Sequence, residues 1–463
     1  MSSQISTPIG IPSELNFSLP SSMVPSRKFE LRVQPFGQST FNSAGQAVRI
    51  TLPQMSRTLL NTQTGYLIGT IAFTQTGGAV DTDPSFLLGS WYSIFSRQVI
   101  RAGSGYVLET IDRPGLLVNA ITSMTMNSAE KIALNNTFGF NNNSGFLNVG
   151  PKLNVVSAIG TGNAANTGGF DPIGGNELVF SFAIPLIGIL NNTKLWPSWN
   201  SGDLEIELTL DNVSNYIAAQ TANTITGFTL SNVEFVCECL ELAPEAYNMI
   251  MAQNPTQVVL KTQTYTYGSS SLLANQGAGS IDIPFQIKVN SLKQLIWYSQ
   301  PSNTADELFG GVNPNLDTWN FIVNGISYPQ QPVKARFPAE AFMQNQKSFG
   351  SVYSNSHTGG ATRTEFNSAS TAYNKFYRAY LTNANVAQLE TRANKWYQCL
   401  DLETINSNKE SLYSGISTNG TTATIRLNIA AQLANSTHNI HYWSCQDVMV
   451  VMDMASGITS VVV

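Results

Sequence analysis

The 463-residue sequence predicts an all-β chain with a few inserted helices, laid out as two consecutive β-sandwiches. Three observations carry that prediction. Apolar and polar residues alternate over short segments, the period of two that gives a strand one buried face. Gly, Asn, Asp and Pro punctuate those segments at turn positions. The pattern lapses once near the middle of the chain, between Leu242 and Thr256, and then resumes.

Taken in order, residues 1–27 form an extended N-terminal arm. Pro8, Pro12, Pro20 and Pro25 lie among serines with almost no charge, and too little apolar surface is present to offset backbone ordering without neighbours. Residues 28–241 make the first sandwich, with strands expected at Phe29–Val33, Val48–Leu52, Gly65–Phe73, Gln98–Ile100, Leu178–Ala183, Asp203–Leu210 and Gly227–Cys239. The clearest is the sixth, where Leu204, Ile206, Leu208 and Leu210 alternate with Asp203, Glu205, Glu207 and Thr209. One helix interrupts: Pro114 suits a first-turn position, and Leu116, Leu117, Ala120, Ile121 and Met124 follow at helical spacing. Asn135 to Gly175 is rich in Asn and Gly and reads as a long loop. Residues 242–256 form a linker helix opened by Pro244 and closed by Pro255. Residues 257–463 make the second sandwich, with strands at Gln257–Thr266, Ile281–Val289, Leu295–Tyr298, Asn320–Val323, Thr422–Ile429 and Val448–Met454. Helices are expected there at Pro338–Lys347 and Ala384–Gln398.

Composition narrows function. Charged residues make up 11% of the chain, against roughly 25% in ordinary soluble domains. Such a polar but weakly self-repelling surface suits a chain that buries much of its outside against copies of itself. The formal net charge is −5 and no like-charge block occurs, so direct nucleic-acid binding is not expected. The N-terminus has neither a basic leader nor a long apolar run, which predicts a soluble product made inside a cell. Sequons such as those at Asn16 and Asn212 carry no weight in a chain so rich in Asn, Ser and Thr.

The search for chemistry assigns no catalytic, cofactor-binding or metal-binding residue. Cys237 and Cys239 share one face of a strand, and no second Cys/His pair completes a zinc site, so buried free thiols are expected together with Cys399 and Cys445. Of the three histidines, His357 lies in a Gly/Ser/Asn-rich loop, and a strand places His438 and His441 on opposite faces. Gly103-Ser104-Gly105 lacks the lysine and helix start of a phosphate loop. Asp203, Glu205 and Glu207 could be imagined as glycosidase carboxylates, but alternating acids on an amphipathic strand are usually its solvated face or partners for an adjacent subunit. Arg97, Arg101 and Arg113 flank the Gln98–Asp112 passage, and their guanidinium forks would suit interface carboxylates such as Glu109 or Asp112; solvated strand-end arginines fit equally.

Several stretches, in order, resemble one family. Ile184–Leu210, IPLIGILNNTKLWPSWNSGDLEIELTL, resembles part of the first barrel of double jelly-roll major capsid proteins, above all those of polinton-like viruses and virophages. FELRV followed by FNSAGQAVRITLP (Phe29 to Pro53) is similar to the opening hairpin of that barrel. SWYSIFSRQVIRAGSGYVLETID (Ser90 to Asp112) resembles a further passage, as do FIVNGISYPQQPV (Phe321 to Val333), LYSGISTNG (Leu412 to Gly420) and QDVMVVMDMASG (Gln446 to Gly457) in the second half. The resemblance implies two consecutive eight-stranded jelly-roll β-barrels and a structural, non-enzymatic role. It also implies homotrimers forming pseudo-hexagonal capsomers that tile an icosahedral virion capsid, assembled inside the host cell. Neighbouring capsomers, a penton protein and minor capsid proteins are the implied partners. The competing reading is a secreted or cell-surface β-sandwich that binds or cleaves carbohydrate, which would call for a signal peptide, clustered exposed aromatics or a carboxylate pair.

Overall fold

The computed structural model describes residues 26–76, 86–88, 90–103, 105–126, 134–138, 149–152, 178–191, 194–199, 202–218, 224–301, 311, 313–335, 338–349, 396–404, 414–431, 433, 437–454, 457 and 459–462. Residues 1–25 of the expected arm, most of the Asn135–Gly175 loop, Ser104, His357 and residues 384–395 of the last expected helix lie outside the described residues.

The first half contributes β1 (Ser26–Val33), β2 (Ala47–Leu52), β3 (Thr58–Thr76), β4 (Phe95–Arg101), β5 (Val107–Asp112), β6 (Leu178–Pro185), β7 (Leu204–Leu210) and β8 (Thr224–Leu242). They form two antiparallel sheets in the orders β1-β8-β3-β6 and β2-β7-β4-β5. The second half contributes β9 (Gln257–Leu272), β10 (Gly279–Pro284), β11 (Leu292–Pro301), β12 (Leu316–Val323), β13 (Ile326–Lys334), β14 (Gln398–Asp401), β15 (Ala423–Ile429) and β16 (His438–Asp453). Their orders are β9-β16-β11-β14 and β10-β15-β12-β13, with β17 (Thr459–Val462) added to β16. Adding eight to each strand number turns the first pair of sheets into the second. The chain is a jelly roll written twice. Short pieces at Phe86–Leu88, Val149–Lys152 and Ile217–Ala218 make a small separate sheet.

Helices enter at matching places. α1 (Pro114–Thr125) follows β5, α2 (Pro244–Gln253) connects the halves, and α3 (Pro338–Ser348) follows β13. Pro114 and Pro244 occupy the first helical turn, where a missing N–H costs nothing. No helix among the described residues is long and apolar enough to cross a membrane.

The cores follow the alternation. Leu204, Ile206, Leu208 and Leu210 are buried between the sheets of the first barrel, with Ile206 opposite Ile50 and Ile100 on its neighbours. Phe73, Trp91, Phe180, Phe182 and Tyr216 close one part of that core with ring-to-ring contacts. In the second barrel Ile283, Phe285 and Ile287 point inward, and Trp297 stands edge-on to both Trp319 and Trp396 at 5.3 Å. All four cysteines are buried free thiols.

Several expectations shift. The strand expected at Ile281–Val289 ends at Pro284, and β13 is not among the expected strands. Ser26 and Arg27, placed in the arm by sequence, already pair with Leu242 and Glu241 in β1. The strand expected at Val448 begins ten residues earlier, at His438, because both of its faces are covered and the alternation is lost. Gln398, expected to end a helix, opens β14, where Gln398, Cys399 and Leu400 are all buried and give no period of two. The segment Ile326–Lys334 carries Pro329 and Pro332 yet forms strand β13; it lies at the sheet edge, where a missing N–H breaks no ladder.

Candidate functional site

For a chain built this way the candidate sites are surfaces and the seam between the barrels. The arginines singled out by sequence turn inward to their own chain. Arg101 on β4 donates to Glu205 at 3.1 Å and to Glu207 at 2.7 Å across the β4–β7 ladder, and Arg49 on β2 holds Glu207 from the other side at 2.9 Å. Arg97 pairs with Asp112 at 2.5 Å and Arg113 with Asp211 at 2.9 Å. Glu109 takes none of the arginine roles proposed for it. Arg97 and Arg101 thereby tie together neighbouring strands of one sheet, and Arg113 ties the start of α1 to the end of β7. The signal was the register: Glu205 lies directly opposite Arg101 in the β7–β4 pairing, which sequence alone does not reveal.

The same geometry bears on the glycosidase reading. That chemistry needs one carboxyl held above its usual range and another below it. Glu207 is held below by the hydrogen bond from Arg101, which outweighs the opposing effect of burial, and Glu205 shares that guanidinium. Asp203 accepts the Gln54 N–H at 3.0 Å, joining the residues just before β7 to those just after β2. The three acids brace a sheet. A cleft of about 480 Å³ opens elsewhere, in the second barrel, among Thr266, Tyr267, Gln286, Lys288, Tyr442 and Gln446, and no carboxylate lines it. Arg101→Glu is expected to lower the unfolding free energy of the isolated chain by roughly 1.5–3 kcal/mol, the range for hydrogen bonds to charged groups. Denaturant titration of wild type and variant checks this; equal midpoints would mean the brace contributes nothing.

The seam between the barrels is buried and polar at its centre. Glu109 on β5 is 4% exposed and accepts hydrogen bonds from the Ile189 N–H at 3.0 Å, from Gln98 at 3.4 Å, and from the Thr264 hydroxyl on β9 of the other barrel. Gln98 is fixed in turn by the Tyr92 hydroxyl at 2.9 Å and by the Ile187 carbonyl at 2.8 Å. Burial pushes the Glu109 carboxyl up to about 7, and the Thr264, Ile189 and Gln98 donors pull against it. Around this centre the Trp443 indole N–H reaches the Asp112 carbonyl at 3.4 Å, and Asn119 on α1 donates to the Tyr397 hydroxyl at 2.9 Å. Gly188 sits at φ +85 against Glu109, so a Cβ there would strike the carboxylate. Glu109 is the residue that sequence reasoning placed wrongly, as a surface partner for arginine.

His438 and His441 are buried in the second barrel. The His438 Nδ1 meets Ser299 Oγ at 2.9 Å, and His441 meets Tyr267 at 2.7 Å and Gln300 at 3.0 Å while its ring stacks on Tyr298. Burial pushes His438 down to about 4, and burial with the nearby Arg113 pushes His441 down to about 3. Both are core histidines. Among the described residues no three His, Cys, Asp or Glu side chains converge as a metal cluster.

No protein-family model and no curated protein matches the sequence. Solved structures do match in shape. The mavirus major capsid protein superposes with a TM-score of 0.56 at 11% identity, covering 100% of this chain and 97% of that one. This chain has the double jelly-roll fold. PBCV-1 VP54, as fitted into a reconstruction of the virophage Sputnik, gives a TM-score of 0.58 at 11% identity over 96% of this chain and 98% of the other. The Faustovirus major capsid protein gives 0.57 at 10% identity over 95% and 92%. The double jelly roll thus runs through this chain from end to end, at 10–11% identity to these three structures.

Proposed function

We propose that this chain is a viral major capsid protein that self-assembles into the icosahedral shell of a virion, inside the host cell. The observation that carries the reading is the repeated eight-strand topology, β1–β8 and β9–β16, shared end to end with capsid proteins. Three copies of a two-barrel chain present six similar barrels around one axis, which is how a trimer becomes a pseudo-hexagonal tile. The division into arm (1–25), first barrel (26–242), linker helix (243–256) and second barrel (257–463) belongs to the same reading, its first two boundaries set at the start of β1 and the end of β8. Neighbouring capsomers, a penton protein and minor capsid proteins are the partners that such a tile requires.

The surface supports this role. The described residues expose scattered large apolar side chains, among them Phe36, Met249, Leu273 and Ile326, on a charge-poor exterior whose desolvation on association costs little. An obligate interface of this kind buries roughly 2,000 Å² or more. The purified protein is expected to sediment as a trimer and to show hexagonal outlines by electron microscopy. A protein that stays monomeric at high concentration, or that hydrolyses a glycoside and loses that activity on Glu205→Gln, would overturn the reading.

A further inference from the structure

Inside the second barrel, one lysine is enclosed by acids. Lys293 on β11 is 2% exposed at its side chain, and its Nζ lies 2.7 Å from Glu403 Oε1 and 3.2 Å from Asp447 Oδ1. The Asp447 side chain, on the neighbouring strand β16, is 0% exposed, and that of Glu403, just beyond β14 on the other flank, is 13% exposed. A register shift between Leu292 and Gln294 inserts Lys293 as an extra residue opposite β16. The Ser291 hydroxyl donates to Asp447 Oδ2 at 3.0 Å and accepts the Gly415 N–H at 3.2 Å, and Ser414 donates to Glu403 Oε1 at 3.2 Å. Asp401 on β14 adds a further carboxyl to the surroundings of Lys293 and Glu403.

As a purely ionic device this arrangement is poorly justified, since buried ion pairs gain little over apolar packing and this one gathers more acids than cations. As a reaction site it is complete. The amine nitrogen is in ion-pair contact with oxygens of both carboxyls, Asp447 and Glu403, in a site almost closed to solvent, so nucleophile, acceptor carboxyl and proton carrier share one enclosed shell. We propose that Lys293 and Asp447 are the two ends of an intramolecular isopeptide bond, formed with Glu403 as the proton carrier.

Burial alone would push the Lys293 ammonium down, but Glu403 and Asp447 more than offset it, so the amine has to be freed within the site. The Glu403 carboxylate takes one proton from Nζ, and the released lone pair attacks Asp447 Cγ, forming the C–N bond. Ser291 keeps hold of Oδ2, which becomes the amide oxygen. The Cγ–Oδ1 bond breaks; its oxygen leaves as water with the proton carried by Glu403 and a second proton from nitrogen. One ammonium and one carboxylate become one amide and one water, Glu403 ends as it began, and nothing is oxidised or reduced. The product covalently staples β11 to β16 through the middle of their sheet.

Intact-mass spectrometry of the full-length chain, unfolded after purification, tests this. The expected mass is one water below that of the sequence, allowing for the initiator methionine. A tryptic digest is expected to show no cleavage after Lys293 and a branched peptide joining the Lys293 and Asp447 segments. Glu403→Gln is expected to fold and retain the full mass, as is Lys293→Met. A wild-type chain of full mass that is cleaved after Lys293, or a water deficit that maps to another site, overturns the bond; a Glu403→Gln chain still lighter by one water overturns the role of Glu403.

Discussion

Phe285→Ala is expected to lower the stability of the chain by roughly 3–5 kcal/mol. Phe285 follows β10 and is 2% exposed, and its ring meets Phe321 of the same sheet at 5.1 Å, edge to face, and Tyr442 of the facing sheet at 5.3 Å. Removing it empties the contact between the two sheets of the second barrel, and the flanking strands are too well paired to collapse into the space. Ile283 and Ile287 on the same face, and Ile206 and Leu208 in the first barrel, are expected to cost roughly 2–5 kcal/mol each when truncated to Ala. Denaturant unfolding of the variants measures these losses. Values below about 1 kcal/mol at most of the five positions would mean that the strands face the other way.

Those five positions were legible because each strand has one wet face. Where a strand is covered on both faces, the signal vanishes. β16 is buried along most of His438–Asp453, with Trp443 reaching across to Asp112 of the first barrel, and its stretch His438–Asp447 mixes aromatic and polar residues without alternation. β14 is hidden for the same reason. The charged residues show the complementary failure. A sequence displays Arg101, Glu205 and Glu207 as charges but not as cross-strand neighbours, so a brace within one sheet looks like a spare interface. Glu109 was least legible of all: nothing in Leu108-Glu109-Thr110 marks an acid that turns inward to meet Thr264 on the other barrel. Lys293, Glu403 and Asp447 are likewise far apart in sequence and brought together only by the order β14-β11-β16. The resemblance to capsid proteins survived these gaps because it rested on the order of many weak stretches, not on any one of them.

The buried acid and the buried histidines make stability depend on pH in opposite directions, and the optimum is expected between about pH 6.5 and 7. The folded-state values of His438 and His441 are depressed to about 4 and about 3 from an ordinary 6.5. As pH falls below about 6.5 the unfolded chain takes up protons that the folded chain refuses, so stability is lost until the folded histidines themselves protonate. Each contributes a slope of up to about 1.4 kcal/mol per pH unit. Glu109 behaves oppositely, with its folded value raised to about 7 from 4.5. Its contribution is fully present below pH 4.5 and is lost as pH rises through about 7, because the unfolded chain releases the proton that the seam retains. Between pH 4.5 and 6.5 two histidines oppose one carboxyl, leaving a net loss on acidification close to that of a single histidine. His441→Gln is expected to flatten the acid limb by about one histidine's slope. Glu109→Gln, which keeps an acceptor for the Thr264 hydroxyl, is expected to steepen the limb between about pH 4.5 and 6.5 from about one histidine's slope to two and to make the chain more stable than wild type at pH 8. Unfolding midpoints measured from pH 4 to pH 8 decide both: an unchanged acid limb in His441→Gln would mean that this imidazole is charged in the folded barrel, and a Glu109→Gln curve parallel to wild type would mean that Glu109 is ionised in the seam.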